Sequence, residues 1–340
     1  MSSIADVAKL ANVSTATASR ALSGKSTVTA ATKARVQAAA KKLGYTPNAA
    51  AKSLRMNRSS LLGLIVPDIE NPFYSTLAKH VGDHARRLGY NIVLCSTGFS
   101  NTVEKEFFEL LIGGQVAGLL LCRTDGENPL SPPKGQGSRF PVVVMDRVAS
   151  GEKESFVTVN NSRVGEMAAQ HLLALGHRRF ACVAEHVNHS VVKDRIEEFA
   201  KNVDGFSLQQ VLTVEEGFRG AKAAATKLLE QPKSKRPTAF YCTNDMLALG
   251  VIQAAQECGM RIPEDVSVMG TDGIFQGEFF SVPLTTVTQP FDDLARLGVK
   301  TLLDMIENPN PPTVSLAIEP VLTIRKSTGP GKSASSSGKK

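Results

Sequence analysis

Ile4-Ala5-Asp6-Val7-Ala8-Lys9-Leu10-Ala11-Asn12-Val13-Ser14-Thr15-Ala16-Thr17-Ala18-Ser19-Arg20-Ala21-Leu22 is the stretch on which the reading of this chain turns. Ile4, Val7, Ala8 and Ala11 recur at helical spacing and mark one face of a first helix, which Asn12-Val13 interrupts. Ser14 is suited to cap a second helix over Thr15–Leu22. That helix turns Ala18, Ala21 and Leu22 one way and Thr15, Ala16, Ser19 and Arg20 the other, and Gly24 closes it. Thr29 caps a third helix, Ala30–Leu43, whose Val36, Ala40 and Leu43 roof the first two before Gly44 ends it.

Two short helices joined by a tight turn, with a third above them, form a helix-turn-helix module. The outward face of its second helix holds small polar residues and one arginine, which fits a DNA major groove, where arginine bonds bidentately to O6 and N7 of guanine. The charge agrees. Residues 1–60 contain ten Lys or Arg and a single acid, Asp6, whereas residues 61–328 contain 26 basic and 31 acidic residues. Lys332, Lys339 and Lys340 add to the far end, so the net charge of +7 resides at the two ends. A basic head on a mildly acidic body implies a nucleic-acid module joined to something else.

Between them, residues 45–60 read Tyr-Thr-Pro-Asn-Ala-Ala-Ala-Lys-Ser-Leu-Arg-Met-Asn-Arg-Ser-Ser. Pro47 precedes a helical stretch, Asn48–Met56, too short to be stable alone in water. Leu54 lies among Lys52, Arg55 and Arg58. It is suited either to wedge between base steps from the minor groove or to pack on the body as an ordinary linker leucine.

The length of 340 residues fits two or three domains, and 42% apolar with 21% charged residues is an ordinary globular composition. The longest apolar runs, such as Val116–Cys122, fall well below the roughly 18 residues of a membrane span. No apolar segment at the start marks export. Cys95, Cys122, Cys182, Cys242 and Cys258 are scattered without a C-x-x-C pair and read as reduced, small hydrophobic residues of a cytoplasmic protein.

In the body, strand-like runs at Leu61–Val66, Asn91–Cys95, Gly118–Cys122 and Val142–Met145 are followed by a second set at Phe180–Ala184, Gln209–Leu212, Ala239–Cys242 and Val266–Met269. Helical stretches separate most of them: Ser75–Leu88, Val103–Ile112, Gly165–Leu175, Val191–Val203, Gly217–Glu230 and Met246–Cys258. The alternation predicts an α/β fold of doubly wound parallel sheets. The two sets are offset by about 120 residues, which implies two similar lobes by spacing rather than by identity. A final helix, Phe291–Ile306, and strand material in Ser315–Ile324 would tie the lobes together.

Asp68, Asn71, Arg123, Asp125, Asp146, Arg147, Asn244, Asp245, Thr271 and Asp272 all follow strand ends, with Phe73, Phe218 and Phe291 nearby. Singly, each acid or amide reads as a helix cap. As a set, planar hydrogen-bonding groups beside aromatic rings suit a polyhydroxylated ligand in a cleft between the lobes. Arg147 in this set favours a sugar acid or sugar phosphate over a neutral sugar, and Arg195 would add to that if it reaches the same cleft.

Asp6-Val7-Ala8-Lys9-Leu10-Ala11-Asn12-Val13-Ser14, Thr17-Ala18-Ser19-Arg20-Ala21-Leu22-Ser23-Gly24 and Leu43-Gly44-Tyr45-Thr46-Pro47-Asn48 resemble the DNA-binding head of the LacI/GalR family of bacterial repressors. The body is similar to that family as well, at Gly63-Leu64-Ile65-Val66-Pro67-Asp68, Asn71-Pro72-Phe73, Leu175-Gly176-His177-Arg178-Arg179, Asn244-Asp245, Pro263-Glu264-Asp265-Val266-Ser267-Val268-Met269-Gly270 and Pro283-Leu284-Thr285-Thr286-Val287. The resemblance spans residues 3–328. It implies a transcriptional repressor, not an enzyme: a homodimer on a pseudo-palindromic double-stranded operator, with a periplasmic-binding-protein-like domain for a sugar, sugar acid or sugar phosphate. It implies no cofactor, no metal, no catalytic residue and no membrane.

The DNA-contacting set this implies is Ser14, Thr15, Ala16, Thr17, Ser19 and Arg20 in the head, with Asn48, Ala51, Leu54 and Arg55 in a hinge helix where Leu54 is the wedge. The effector set is Phe73, Asp146, Arg147, Arg195, Phe218, Asn244, Asp272 and Phe291. The implied domains are a head over 1–46, a hinge over 47–60 and an effector-binding and dimerisation domain over 61–328. Its N-lobe takes 61–160 and 290–317, its C-lobe 161–289 and 318–328, and 329–340 is a disordered tail. Ala18 stands where a valine is usual, Gly273 follows Asp272 where the family has a second acid, and Glu197-Glu198 follow Arg195 where a glycine is common. The family's C-terminal heptad helix is absent, which predicts a dimer.

The rival readings fit less of the chain. An enzyme on a doubly wound fold lacks G-x-G-x-x-G and H-E-x-x-H, and Gly329-Pro330-Gly331-Lys332-Ser333 only partly imitates a phosphate loop. His80/His84 and His186/His189 read as exposed histidines rather than a metal site. A periplasmic solute-binding protein would need an export signal and no basic head, and an unspecific architectural DNA binder would need no two-lobed body.

Overall fold

Ser3 opens the head with a reciprocal cap: its hydroxyl accepts from the Asp6 amide while the Asp6 carboxylate accepts from the Ser3 amide. α1 (Ile4–Leu10) is followed by Asn12 in the left-handed region, φ 50°, a conformation asparagine tolerates. α2 (Thr15–Leu22) is capped by Ser14, which accepts from the Thr17 amide, and α3 (Ala30–Lys42) by Thr29. Val7, Ala8, Ala11, Ala18, Ala21, Val36, Ala39 and Ala40 form the core of this bundle. Alanine side chains let three short helices approach closely, and Ala18 is fully buried among them.

The computed structural model describes residues 2–22, 28–45, 59–113, 116–124, 140–148, 152–206, 210–215, 217–308 and 310–331. The expected hinge helix, with Asn48, Ala51, Leu54 and Arg55, therefore lies outside the described residues, as do Asp125 and the tail from Lys332 onward. The chain divides into two compact units between Ser60 and Leu61.

The second unit contains two six-stranded sheets. Its elements run β1 (Leu61–Val66), α4 (Pro72–Arg87), β2 (Asn91–Ser96), α5 (Asn101–Ile112), β3 (Leu119–Cys122), β4 (Val142–Met145) and β5 (Ser155–Val159). They continue with α6 (Asn161–Ala174), β6 (Phe180–Ala184), α7 (Ser190–Asn202), β7 (Val211–Thr213), α8 (Gly217–Leu229), β8 (Ala239–Cys242), α9 (Asp245–Glu257) and β9 (Ser267–Asp272). After a short 3-10 turn (Phe275–Glu278) come β10 (Thr285–Thr288), α10 (Phe291–Glu307), β11 (Ser315–Ile318) and β12 (Val321–Thr323).

The N-lobe sheet has the order β11-β5-β4-β3-β1-β2 and the C-lobe sheet β12-β10-β9-β8-β6-β7. Apart from the exchanged end strands, both follow one pattern, in which the first strand of each lobe lies between its second and third. All pairings are parallel except β10 with β12. The inner strands are buried end to end, as in Leu119–Cys122 and Ala239–Cys242, because helices cover both faces.

Several elements differ from the sequence expectation. α4 starts at Pro72 rather than Ser75, because proline is preorganised for the first helical position and Asn71 caps it through the Phe73 amide. β9 runs on to Asp272 instead of stopping at Met269. β5 and β10 complete the two sheets without having been expected. The strand material at the end divides into β11, which joins the N-lobe, and β12, which joins the C-lobe.

The expected disordered tail starts too early. Gly329 accepts from buried His177 and donates to Ser267, and Gly331 donates to the Leu175 carbonyl, so the chain is built into the C-lobe as far as Gly331. All five cysteines are free thiols, with Cys122, Cys182 and Cys242 buried. Among the described residues, no helix is long and apolar enough to cross a membrane.

Candidate functional site

In the head, Ser14, Thr15, Ala16 and Arg20 are exposed, Thr17 and Ser19 are half-buried, and Ala18 and Ala21 are buried. The Ser14 hydroxyl is also within 2.8 Å of the Thr17 hydroxyl, which fixes the start of α2. The exposed set is a polar, singly basic helix face held on a rigid three-helix core. Its side chains are short apart from that of Arg20.

In the body, the loops at the C-terminal ends of the strands of both sheets face one cleft. Its walls include Asn71, Phe73 and Tyr74 after β1, Phe99 after β2, and Asp146 and Arg147 after β4. From the C-lobe come Glu185 and His186 after β6, Arg195 on α7, Thr243 and Asn244 after β8, Asp272 at the end of β9 and Gln289 after β10. The cleft is narrow, with about 50 Å³ of free space between its walls. Larger hollows lie elsewhere on the C-lobe, one of about 400 Å³ beside Arg178, Phe180 and Phe206, but they do not gather polar groups from both sheets. The cleft does, at the crevice where such folds bind ligands.

Backbone strain is concentrated here. Phe99 (φ 59°), Asp146 (φ 64°), His186 (φ 51°) and Asp272 (φ 122°) are four of the five non-glycine residues with positive φ among the described residues, and all four line the cleft. Such conformations cost about 1–3 kcal/mol each and persist where the surroundings over-determine them, which marks functional sites.

Arg195 donates from Nε to Asn161 Oδ1 at 2.8 Å and from Nη1 to the Thr243 carbonyl at 2.8 Å, and Nη1 lies 3.7 Å from Asp272 Oδ1. The Gln289 amide donates to the same Asp272 oxygen at 2.8 Å. Behind it, Asp245 accepts from the amides of Gly273 and Ile274 and from the Thr286 hydroxyl, which fixes the turn that aims Asp272. Burial raises the pKa of Asp245, and those three donors oppose the rise.

Across the cleft, the Tyr74 hydroxyl donates to Asp146 Oδ2 at 3.2 Å, and Arg147 donates to the Thr124 carbonyl at 2.6 Å while its Nε lies 4.0 Å from the same Asp146 oxygen. Asn244 caps α9 through Oδ1 and donates from Nδ2 to Glu185 at 2.7 Å. It is at once the helix cap and a wall of the cleft, so the two readings of strand-end residues coincide in it. Burial pushes Asp146, Glu185 and Asp272 upward. Arg147 and Arg195 oppose this at Asp146, the Asn244 amide at Glu185, and Arg195 at Asp272.

Of the eight expected effector residues, Phe73, Asp146, Arg147, Arg195, Asn244 and Asp272 line the cleft. Phe291 does not; it stands behind Phe73, ring centroids 5.3 Å apart, and supports that wall. Phe218 does not either. The abbreviated chain before α8 brings Gly217, not Phe218, beside Glu185, and the Phe218 carbonyl packs against Gly250 of α9. The two arginines expected to favour an acidic ligand are already engaged within the protein. Both guanidinium groups are held by protein acceptors, and three carboxylates line the cleft with two arginines.

Tyr74, Phe99, Glu185, His186 and Gln289 were not singled out as cleft residues in the sequence. Glu185 and His186 follow a strand end just as Asp146 does, and that signal was available. His80 and His84 both meet Asp292, and His186 and His189 stack on each other, half-buried rather than exposed. Among the described residues, no cluster of three His, Cys, Asp or Glu is arranged to hold a metal ion.

The head and body match known proteins separately and together. Residues 3–48 match the family model described as bacterial regulatory proteins, lacI family, and residues 169–328 match that of the periplasmic binding protein-like domain. The chain is 32% identical to the HTH-type transcriptional repressor PurR of Aliivibrio fischeri (strain MJ11), over 96% of this chain and 98% of that protein. It is also 32% identical to the ribose operon repressor of Escherichia coli (strain K12), over 96% of this chain and all of that one. A crystal structure of a LacI family transcriptional regulator from Enterococcus faecium with bound ribose superposes with a TM-score of 0.70 at 29% identity, covering 80% of this chain and all of that one. The chain belongs to the lacI family of bacterial regulatory proteins, DNA-binding transcriptional repressors with a periplasmic-binding-like effector domain.

Proposed function

We propose that this protein is a cytoplasmic, homodimeric operator-binding repressor whose affinity for DNA is set by one small neutral sugar held between the lobes. The observation that carries the choice of ligand is the lining of the cleft. Asp146, Arg147, Arg195, Asn244, Asp272 and Gln289 supply planar donors and acceptors already matched to one another in charge, beside the aromatic faces of Phe73, Tyr74 and Phe99. Sugar hydroxyls donate and accept at once, so they can enter such a ring of groups without bringing a charge, and the apolar face of the sugar lies on an aromatic ring. An anionic ligand would have to compete with Asp146, Asp272 and Glu185 for the arginines. The ribose bound by the E. faecium relative supports a pentose-sized effector.

On DNA, phosphate contacts supply much of the affinity, and Thr15, Ala16 and Arg20 choose the bases. Two heads related by a two-fold axis read a pseudo-palindromic site. A second copy has a surface to use: Phe275 and Phe279 meet edge to face at 4.9 Å on the C-lobe and are both about two-thirds exposed. Sugar binding closes the lobes and shifts the spacing of the two hinge segments, where paired Asn48–Met56 helices fold on DNA with Leu54 as a wedge. Release from DNA follows if the sugar binds the released state more tightly than the bound one.

The test pairs two assays on the full-length protein. Calorimetry with D-ribose, D-ribose 5-phosphate and D-gluconate should show binding of the neutral sugar and none of the two anions; binding of the anions alone overturns the choice of ligand. Selection from fragmented genomic DNA should enrich a two-fold-symmetric site that is released on adding ribose. No enrichment over scrambled duplex overturns the operator reading.

A further inference from the structure

We infer that Phe99 and His186 form an aromatic lid over the mouth of the cleft and limit the ligand to a single sugar ring; the second half of this rests on the sugar reading above. The polar groups that would hold a ligand, Asp146, Arg147, Arg195, Asn244, Asp272 and Gln289, are all buried. Phe99 and His186 are half-exposed, which places them at the rim. They come from different lobes. Phe99 follows β2, the edge strand of the N-lobe sheet, and reaches in from the side, while His186 follows β6 in the C-lobe. Their rings face each other with centroids 4.6 Å apart and planes 25° apart.

Two further contacts reinforce the stack. His189 continues it at 4.9 Å and 8°, and the Arg147 guanidinium carbon lies 5.6 Å from the Phe99 ring centroid, a cation–π distance that joins the lid to a group of the ligand shell. Beside it, the Ser190 hydroxyl donates to the Val148 carbonyl at 3.0 Å, a second tie between the lobes.

The backbone argues in the same direction. Both stacked residues sit in the left-handed region, which bulky side chains rarely adopt. Local turn bonds hold them there, from the Phe99 amide to the Pro67 carbonyl and from the His189 amide to the His186 carbonyl, so each ring is presented to the other lobe by a fixed turn, and the stack is lost when the lobes part. A second sugar unit or a large aglycone would have to pass where the two rings touch.

The chain contains no tryptophan, so Phe99→Trp gives the full-length protein a single indole at the lid. Its emission should be blue-shifted relative to free indole and move to the red when His186→Ala is added. Identical, solvent-like emission from both proteins overturns the lid. Ligand length is read by calorimetry with D-ribose, maltose, cellobiose and sucrose on the unaltered protein and on Phe99→Gly, a substitution that suits the left-handed backbone and keeps the turn. The unaltered protein should bind ribose and no disaccharide; Phe99→Gly should bind ribose several-fold more weakly and acquire disaccharide binding. A disaccharide bound by the unaltered protein as tightly as ribose, or an unchanged ligand range in Phe99→Gly, overturns the limit on length. If no neutral sugar binds either protein, the effector reading fails, the limit on length falls with it, and the indole emission alone decides the lid.

Discussion

Asp272→Asn isolates the charge of one cleft residue with little disturbance of the fold. Asp272 is 4% exposed, accepts from Gln289 at 2.8 Å and faces Arg195 at 3.7 Å. Its φ of 122° is a backbone conformation that L side chains rarely adopt, and asparagine matches in shape the aspartate already held there while keeping an oxygen for Gln289. The substitution turns a charged acceptor into a neutral one. Hydrogen bonds to charged groups contribute about 1.5–3 kcal/mol and neutral ones about 0.5–1.5, a difference of about 1–1.5 kcal/mol per bond. If the carboxylate accepts from two sugar hydroxyls, the loss is about 2–3 kcal/mol, or about 30- to 150-fold in Kd. Titration calorimetry with D-ribose reads this directly, and fluorescence anisotropy with operator DNA and no sugar should show unchanged affinity. Unchanged ribose binding, in a variant that melts like the unaltered protein, would refute the assignment of Asp272 to the ligand.

Arg20→Ala should cost about 1–3 kcal/mol at one base pair per half-site and relax the preference there, read by selection from a randomised half-site; an unchanged sequence preference removes Arg20 from base reading. Gly165→Ala would drive a Cβ into the carbonyl oxygen of Arg195 and toward the Phe199 amide, prising α6 from α7 at a cost of about 1–3 kcal/mol in denaturant unfolding and weakening ribose binding through the displaced Arg195; equal stability and affinity would show that the helices part freely. Burial holds the His177 and His171 imidazoles below the ordinary histidine value of about 6.5. The unfolded chain therefore takes up protons that the folded chain refuses. The stability this gives is complete above about pH 6.5 and is lost as the pH falls below it. Thermal melting at pH 7.5 and 5.5 should show the drop, and His177→Gln should flatten part of it; a drop that the variant leaves untouched would assign it to other groups.

The head was legible because its signals are local. Ser3, Ser14 and Thr29 cap helices within a few residues, and the buried faces carry the period that the sequence displays. The long body strands were legible for a related reason, since both faces are covered and each reads as an unbroken apolar run. β5 and β10 were not. Ser155–Val159 and Thr285–Thr288 alternate or begin with threonines, and they become strands only because a preformed neighbour supplies the ladder. Within the cleft, many residues set at strand ends on the inner strands were legible, while Glu185 and His186 after β6 and Gln289 after β10 were not. Phe99 was missed because it acts from an edge-strand turn, and Phe218 lies off the cleft lining, with Gly217 the residue beside Glu185. Which arginine serves a ligand and which serves the protein depends on carbonyl partners such as Thr124 and Thr243, which no side-chain pattern reveals.

The chain passes from one sheet to the other three times: between β5 and α6, between β10 and α10, and between β11 and β12. Two of these crossings are bonded to each other, with the Asn160 amide donating to the Ile318 carbonyl and its side chain to Glu319, each at 2.9 Å. A door hung on a single pin can wobble and twist; one hung on three is held against both. Three tethers, two of them bonded together, leave the lobes fewer ways to move against each other than a single tether would.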